Sequence, residues 1–291
     1  MQCRKPIVAG QFYPARKDQC IDQIKQCISE RTIKVPLPDS IAAGIVPHAG
    51  WTFSGSLAGL VFSAIKKQNK AVDTFVIFGA AHSYFGQEPA VYDRGCWLTP
   101  LGEVLVDEQL ADLVMNTGIG VNEPAFHRAE HSIEVQVPFI QYLFPDAKIL
   151  PILAPPAPDS VELGFSVGRI IGSLSQQKIV CIGSTDLTHY GPRYGFTPMG
   201  VGPDAIEWAS RVNDKQFIDL AVQLEPQRML SSSAESGNAC GPGAAAAAVA
   251  AAKKLGRQKG VLLAYTNSNE VMIRKMGTSS TESVGYAAIV F

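Results

Sequence analysis

Short apolar runs that end in small-residue turns recur along this chain, and two of them lead directly to a histidine. The run 41–46 is followed after one proline by His48, and the run 74–78 is followed after a glycine and two alanines by His82. A continuous β-branched or aromatic run that ends in glycine or proline is typical of a buried parallel strand. Because ligands collect beyond the carboxyl ends of such strands, the pattern predicts two imidazoles at one rim of a sheet, as a metal site or a catalytic pair.

Segments with helical periodicity alternate with the apolar runs. Helices are predicted over residues 16–30, 54–67, 107–116, 204–224 and 243–255, and strands over residues 41–46, 74–78, 148–153, 178–182, 260–265 and 284–291. The second helix is predicted to begin at Ser54, a residue type that favours the N-cap. Strands that alternate with helices indicate an α/β fold with a largely parallel central sheet flanked by helices. The proline-rich stretch 155–158 is a rigid connector at most, so we expect one globular domain over residues 1–291.

Composition argues against several classes of partner. The formal net charge is −1 and the chain has no basic stripe, so we expect no nucleic-acid partner. The longest apolar stretch, 244–252, is far short of the roughly 20 residues that cross a bilayer, so we expect no membrane span. The start of the chain lacks an apolar signal segment. The six cysteines are scattered, and we therefore expect reduced thiols in a cytoplasmic protein.

Three further stretches carry polar residues at chemically useful spacings. His131 and Glu134 are three residues apart, which would place them on one face of a helix. Asp186 and His189 follow the predicted strand 178–182, and a carboxylate near an imidazole fixes its tautomer and raises its basicity. Cys240 is predicted at the start of the alanine-rich helix, where the helix dipole favours the thiolate, which is both a metal ligand and a nucleophile.

Structural interpretations compete with each of these. A single loop histidine is more often a hydrogen-bonded structural residue than a ligand, and His127, which has no strand before it, is expected to be a surface or loop residue. Cys240 alone could be an inert small residue in a tight turn. The other cysteines are expected to pack in the core or in regular elements. The shared position of His48 and His82 after strands favours the functional interpretation for that pair.

The stretches together resemble the Memo family, including its prokaryotic members called AmmeMemoRadiSam system protein B. The resemblance covers nearly the whole chain and is carried by residues 8–14, 47–55, 79–83, 130–134, 184–191, 240–241 and 283–288. It implies a fold similar to the catalytic subunit of class III extradiol dioxygenases, which hold non-haem Fe(II) with two histidines and a carboxylate. By the same resemblance, His48, His82 and Cys240 would be the metal ligands, with cysteine in place of the carboxylate. Asp186 and His189 match polar residues that line the family's pocket.

Three functions are compatible with these residues. The favoured one is a redox-metal site for Fe(II) or copper that oxidises an unknown small-molecule substrate, with His189, Asp186, His131 and Glu134 as candidate catalytic residues. The second is a hydrolase that uses zinc or the thiol of Cys240. The third is a non-catalytic metal- or peptide-binding signalling or scaffold protein. The resemblance also implies a radical SAM protein and an AMMECR-type protein as partners.

Overall fold

The computed structural model describes residues 3–291. Its helices are α1 (Lys17–Ser29), α2 (Trp51–Asn69), α3 (Glu108–Met115), α4 (Val137–Leu143), α5 (Pro158–Ser173), α6 (Pro203–Trp208), α7 (Lys215–Val222), α8 (Pro226–Ser236), α9 (Pro242–Lys254) and α10 (Ser268–Met276). Its strands are β1 (Cys3–Arg4), β2 (Ala43–Val46), β3 (Thr74–Gly79), β4 (Ala90–Val91), β5 (Cys96–Thr99), β6 (Gly102–Leu105), β7 (Val121–Asn122), β8 (Lys148–Leu153), β9 (Ile179–Ser184), β10 (His189–Tyr190), β11 (Val261–Asn267) and β12 (Ser283–Val290).

The main sheet is mixed, and the central part of it is parallel. Its strand order is β10-β12-β2-β9-β3-β8-β4-β7, with β11 also paired to β12. Strands β2, β9, β3 and β8 run parallel to one another, whereas β12 and β4 join this block antiparallel. The predicted α/β domain with helices around the sheet is confirmed. The largely parallel character holds for the centre only, because β11 and β12 form an antiparallel pair that adds to β2.

The helix α9 lies against the sheet with its alanine-rich stretch, residues 242–252, entirely buried. It packs on α5 at very close range because both helices carry small residues at the contact. A Cβ atom added to Gly164 would overlap the carbonyl oxygen of Ala247, and one added to Gly168 would lie 2.8 Å from that of Ala251. A Cβ atom on Gly183 of β9 would lie 2.7 Å from the carbonyl oxygen of Ala244. Small residues on three elements therefore fix the position of α9.

Two predicted helices differ from the observed ones in informative ways. Helix α2 begins at Trp51 rather than after Ser54. The hydroxyl of Ser54 donates to the carbonyl of Ala49 (2.8 Å) and does not cap the helix. The predicted helix 204–224 is present, but residues Ala209–Asp214 between α6 and α7 form a π-helical turn. Such turns are rare and are frequently found at functional sites.

A small second sheet, in the order β1-β5-β6, carries a disulfide. Cys3 of β1 lies opposite Cys96 of β5 and is bonded to it, so the expectation of reduced thiols is wrong for these two residues. The two cysteines are 93 residues apart in sequence, so their spacing along the chain gave no indication that they pair. Cys20, Cys27 and Cys181 are free and buried, as expected. Within residues 3–291, none of the helices has the length and hydropathy needed to cross a membrane.

Candidate metal centre

The site lies at the rim where three neighbouring parallel strands end. Strand β9 lies between β2 and β3 in the sheet. The segment after β2 carries His48, the segment after β9 carries Asp186, and the segment after β3 carries His82. His48 and Asp186 are buried, whereas His82 is partly exposed. The rim predicted from the apolar runs is therefore where these side chains meet, as expected for the carboxyl ends of parallel strands.

Three potential ligand atoms converge at this rim. One atom each from His48, His82 and Cys240 lies within 4.8 Å of the other two. Nε2 of His48 is 3.2 Å from Sγ of Cys240, and the rings of His48 and His82 are 5.1 Å apart between centroids. Ligands that bind one ion at roughly 2.0–2.3 Å are spaced by three to four ångströms. The separation of the nitrogen from the sulfur therefore fits a shared ion.

Cys240 reaches the rim because α9 is fixed beneath the sheet. Its backbone N–H donates to the carbonyl of Asp186 (3.2 Å), and the N–H of Gly241 donates to the hydroxyl of Thr185 (2.9 Å). A Cβ atom on Gly241 would lie 2.7 Å from the carbonyl oxygen of Ser184, so glycine is needed for this close approach. The start of α9 and the end of β9 are thus joined directly at the site.

Ser184 fixes the tautomer of His48. The Ser184 hydroxyl donates to the carbonyl of Ser132 (2.8 Å) and accepts from the side-chain amide of Gln136 (3.2 Å). Because its proton is already used, its contact of 3.2 Å with Nδ1 of His48 requires that nitrogen to be the donor. Nε2 of His48 then carries the lone pair toward Cys240. Burial, together with the nearby imidazoles of His82 and His131, lowers the pKa of His48 well below its ordinary value, so the ring is neutral.

Glu130 orients His82 in a similar way. Its carboxylate accepts from the backbone N–H of His82 (3.0 Å) and lies 3.1 Å from Nδ1 of the ring. It also accepts from the N–H groups of His131 (2.8 Å) and Ser132 (2.7 Å). Burial opposes the charge of Glu130, but the hydrogen bond and positive charge of the His82 ring, with the N–H of Ser132, outweigh it, and the pKa of the carboxyl falls below its ordinary range. A carboxylate on one ring nitrogen leaves the other for a metal and raises its basicity.

His131 and His189 complete the group of imidazoles. The ring of His131 stacks on that of His82 at 5.0 Å and meets that of His48 edge-on at 5.4 Å. His189 lies edge-on to Tyr194 at 5.0 Å, and burial lowers its pKa to about 4. Within residues 3–291, Nε2 of His189 is buried and has no hydrogen-bond partner.

Asp186 supports His48 through the backbone. Its Oδ1 atom accepts from the N–H groups of His48 (2.7 Å) and Ala49 (3.3 Å). Burial raises the pKa of the Asp186 carboxyl to about 7, although both N–H groups act to lower it. Burial and the neighbouring Asp186 also raise the pKa of the Cys240 thiol. The helix start therefore does not by itself produce a thiolate at residue 240, and a cation would be needed to stabilise one.

Glu134 is the one candidate catalytic residue whose side-chain bonds are all made outside the metal centre. Its carboxylate forms a buried ion pair with Arg4 (2.8 Å) and accepts from the hydroxyl of Tyr13 (2.9 Å). It also accepts from the N–H groups of Ile7 (2.9 Å) and Val8 (3.0 Å). The segment after His131 forms turns and a short 3₁₀-helix, Glu134–Gln136, rather than the helix face that the spacing predicted.

His127 is buried, which corrects its prediction as a surface or loop residue. It lies in the 3₁₀-helix Pro124–Ala129, and its Nε2 atom donates to the carbonyl of Ala90 (3.0 Å). Burial lowers its pKa to about 3. Sequence reasoning also gave no role to Glu130, Ser184 and Gln136, which orient the two imidazoles. The available signal for Glu130 is its place beside His131, in a stretch where the spacing points to His131 and Glu134 instead.

A cavity of about 620 Å³ opens directly onto the imidazoles. His48, His82, His131, Asp186 and His189 form its inner wall. Its other walls combine aromatic side chains with polar and charged ones, including Phe12, Phe53, Arg193, Tyr194, Glu282 and Tyr286. The cavity is large enough for a small organic molecule.

Comparisons with known protein sequences cover nearly the whole chain. The sequence family described as Memo-like protein matches residues 4–290. A MEMO1 family protein of Thermococcus onnurineus is 36% identical over 296 residues, which are 99% of this chain and 99% of that protein. A MEMO1 family protein of Methanosarcina barkeri is 36% identical over 295 residues with the same coverage. A crystal structure of an uncharacterized protein from Escherichia coli K12 covers 84% of this chain and 99% of its own, at 14% identity and a TM-score of 0.47.

Proposed function

The chain belongs to the Memo-like family, and from that premise we propose that it binds one redox-active metal ion, Fe(II) or copper, and oxidises a small molecule beside it. The proposed ligands are His48, His82 and Cys240. The observation that carries the proposal is the approach of one atom from each of these residues to within 4.8 Å of the other two. The class III extradiol dioxygenase-like fold expected for the chain rests on the family, and the α/β architecture with its mixed sheet is compatible with it.

The donor set fits the proposed metal. Two imidazoles and one sulfur suit borderline to soft cations, a class that includes copper and iron. The hydrogen bonds from Nδ1 of His48 to Ser184 and from Nδ1 of His82 to Glu130 leave both Nε2 atoms available as ligands. A bound ion of this kind would supply one-electron and dioxygen chemistry. It would also stabilise the thiolate of Cys240, whose pKa is otherwise raised by burial.

The remaining polar residues would handle the substrate and its protons. His189 is neutral near pH 7, because its pKa is lowered to about 4, and its ring lines the cavity, where it can exchange a hydrogen bond with a hydroxyl group of the substrate. His131 stacks on His82 and lines the same cavity, so it can contact the substrate. Asp186 holds the backbone of residues 48 and 49. We assign Glu134 a structural role, because its bonds are made to Arg4 and the segment 7–13.

Metal analysis of protein purified without oxygen tests the proposal. Iron or copper should be present in the wild type and largely lost in His48→Ala and Cys240→Ser. Cys20→Ser is the matched control, because Cys20 is a buried cysteine in α1 and is not part of the site. Wild-type metal content in both site variants would show that the ligand set is wrong. Circular dichroism of each variant would verify that the fold is retained.

The zinc hydrolase is the second candidate, because two histidines and one cysteine with an open position also suit catalytic zinc. Stoichiometric zinc without iron or copper, after expression with all three metals supplied, would favour it. A metal-free cysteine nucleophile is disfavoured, since burial raises the pKa of the Cys240 thiol and a nucleophile needs the thiolate. Retention of a cellular phenotype when the ligands are replaced would instead favour the non-catalytic binding role.

A further inference from the structure

The first strand of the chain is tied covalently to β5 and electrostatically to the segment 127–134, which carries Glu130 and His131 of the metal centre. Cys3 is bonded to Cys96, and the next residue, Arg4, pairs with Trp97 in the same parallel ladder. The guanidinium of Arg4 lies over the ring of Trp97, 4.2 Å from its centroid. Arg4 is 6% exposed, so its charge is almost entirely removed from water. A buried guanidinium of this kind must have its donors satisfied by precisely placed acceptors.

Those acceptors all lie in the segment 127–134 or next to Arg4 itself. Arg4 donates to the carbonyl oxygens of His127 (2.8 Å) and Glu130 (2.6 Å), and to the carboxylate of Glu134 (2.8 Å). A fourth bond goes to the carbonyl of Lys5 (3.2 Å). One rigid side chain therefore holds both ends and the middle of the segment. The planar fork of arginine suits this role, and lysine could not make the same set of bonds.

The same segment carries the carboxylate that orients His82. The backbone carbonyl of Glu130 accepts from Arg4, while its side chain binds the backbone and ring of His82. The contacts therefore run without a gap from the disulfide, through Arg4 and Glu130, to His82. A Cβ atom on Gly79 would lie 2.8 Å from Oγ of Ser132, so the segment is also packed tightly on the end of β3.

We propose that Arg4 and Glu130 are positioning residues of the metal centre, and that the Cys3–Cys96 disulfide keeps Arg4 seated, so that metal affinity depends on the redox state of this cysteine pair. The inference rests on the proposed metal site. Strand β1 has only two residues, and without its covalent bond it regains conformational freedom that competes with the seating of Arg4. Cys3 is partly exposed and Cys96 is buried, so a reductant would have to attack the bond at Cys3.

Titration with Co²⁺ under argon tests the inference, because in the oxidised protein a sulfur–cobalt absorption band that is lost in Cys240→Ser reports on Cys240. Reduction frees Cys3 and Cys96, which lie with Glu103 in a second group of potential ligands, so Cys3→Ser/Cys96→Ser is the reference for the reduced state. The oxidised protein is compared with protein treated with a water-soluble phosphine and then desalted. In that step the phosphine takes up the oxygen of one water molecule to become the phosphine oxide, and its two electrons with the two water protons convert the disulfide to two thiols. Thiol counting under denaturing conditions verifies the state, since the oxidised chain has free thiols only at Cys20, Cys27, Cys181 and Cys240.

Glu130→Gln should weaken Co²⁺ binding about 10-fold, the lower end of the effect usual for residues that support a ligand. Co²⁺ binding should also be weaker in the reduced wild type and in the variant Cys3→Ser/Cys96→Ser, by a smaller factor than in Glu130→Gln. Cys20→Ser should bind Co²⁺ as the wild type does. Arg4→Ala should lower the Co²⁺ affinity, and Arg4→Lys should restore only part of what is lost. If the bond acts through Glu130, reduction in the Glu130→Gln background should have little further effect.

Equal Co²⁺ affinity in the oxidised, reduced and doubly substituted proteins would overturn the inference while leaving the metal site intact. Full additivity of reduction and Glu130→Gln would overturn the proposed path through Glu130. Absence of the sulfur–cobalt band in every form would refute the metal site itself, together with the inference that rests on it. The cysteine variants keep the test decisive even if Arg4→Ala fails to fold for lack of a partner to Glu134.

Discussion

The hydroxyl of Ser184 lies 3.2 Å from Nδ1 of His48 and determines which nitrogen of that ring faces Cys240. The hydroxyl proton is committed to the carbonyl of Ser132, so the imidazole must donate. The end of β9 thus carries a residue that prepares the histidine of the neighbouring strand β2 for its proposed role as a ligand.

Replacing Ser184 with alanine should therefore weaken metal binding by about 10-fold, because the ring of His48 loses the acceptor that fixes its tautomer. The measurement is the same Co²⁺ titration. The sulfur–cobalt band should persist, since Cys240 is unchanged. Ser166→Ala, at a buried serine of α5, is the matched control. An affinity equal to that of the wild type would mean that the Ser184 bond does not orient the ligand.

Replacing Cys240 with aspartate should change the metal preference. The site would then hold two histidines and one carboxylate, the set that suits non-haem Fe(II), whereas thiolate favours Cu(I). We expect the affinity for Cu(I) to fall by at least about tenfold relative to that for Fe(II), which corresponds to roughly 1.4 kcal/mol. Competition titrations with the two ions under argon measure this ratio. An unchanged ratio would argue that the sulfur is not a ligand.

Helix α5 offers a matched pair of glycine substitutions for the packing of α9. In Gly164→Ala the new methyl would overlap the backbone of α9 at Ala247, so we expect the free energy of unfolding to fall by about 1–3 kcal/mol. In Gly172→Ala the nearest atom is Cδ2 of Leu255 at 3.9 Å, so we expect a gain of roughly 0.5–1 kcal/mol from helix propensity. Urea unfolding of both variants checks the prediction. Equal effects would show that the α5–α9 contact tolerates a methyl.

The fold could be predicted well where the signal is local and only partly where it is not. The strand Lys148–Leu153 has the predicted bounds, and His48 and His82 lie at the predicted rim, because apolar periodicity and the residues that end a strand are local properties. The antiparallel pairing of β12 with β2 could not be predicted from local sequence, because strand direction is set by contacts between distant parts of the chain. The π-helical turn at Ala209–Asp214 likewise interrupts a continuous helical pattern.

The candidate site shows the same division. Cys240 was placed by its position at the start of a helix, but the raised pKa of its thiol was missed, because burial is a tertiary property. The pairing of Glu134 with Arg4 spans 130 residues, and the spacing of Glu134 from His131 indicated a different role. The disulfide between Cys3 and Cys96 was missed for the same reason.

Asp214, in the π-helical turn, should make stability depend on pH. Its carboxylate accepts from the N–H of Thr188 (2.8 Å) and from the hydroxyl of Tyr265 (2.6 Å). Burial raises its pKa to about 7 from an ordinary 3.8. The folded state therefore holds this proton more tightly than the unfolded state. The resulting stability is fully present below the unfolded pKa and is lost as the pH rises through the folded pKa.

Asp214→Asn should consequently reduce the fall in the free energy of unfolding between about pH 4 and 8, as followed by urea unfolding across that range. The part of the fall that is due to Asp186, whose pKa is also raised to about 7, should remain. Tyr265→Phe, which removes a donor to the carboxylate but keeps the carboxyl, should extend the fall to higher pH. The same pH profile in Asp214→Asn as in the wild type would show that another group causes the dependence.

Helix α9 has a kinetic consequence for any reaction at this rim. Its buried residues 242–252 wall off the side of Cys240 that faces the sheet, and the cavity lies in front of the imidazoles on the other side. A product formed in this cavity contacts the same walls as the substrate and must leave before another substrate molecule binds. Product should accordingly act as a competitive inhibitor, a constraint on turnover imposed by architecture whatever the chemistry proves to be.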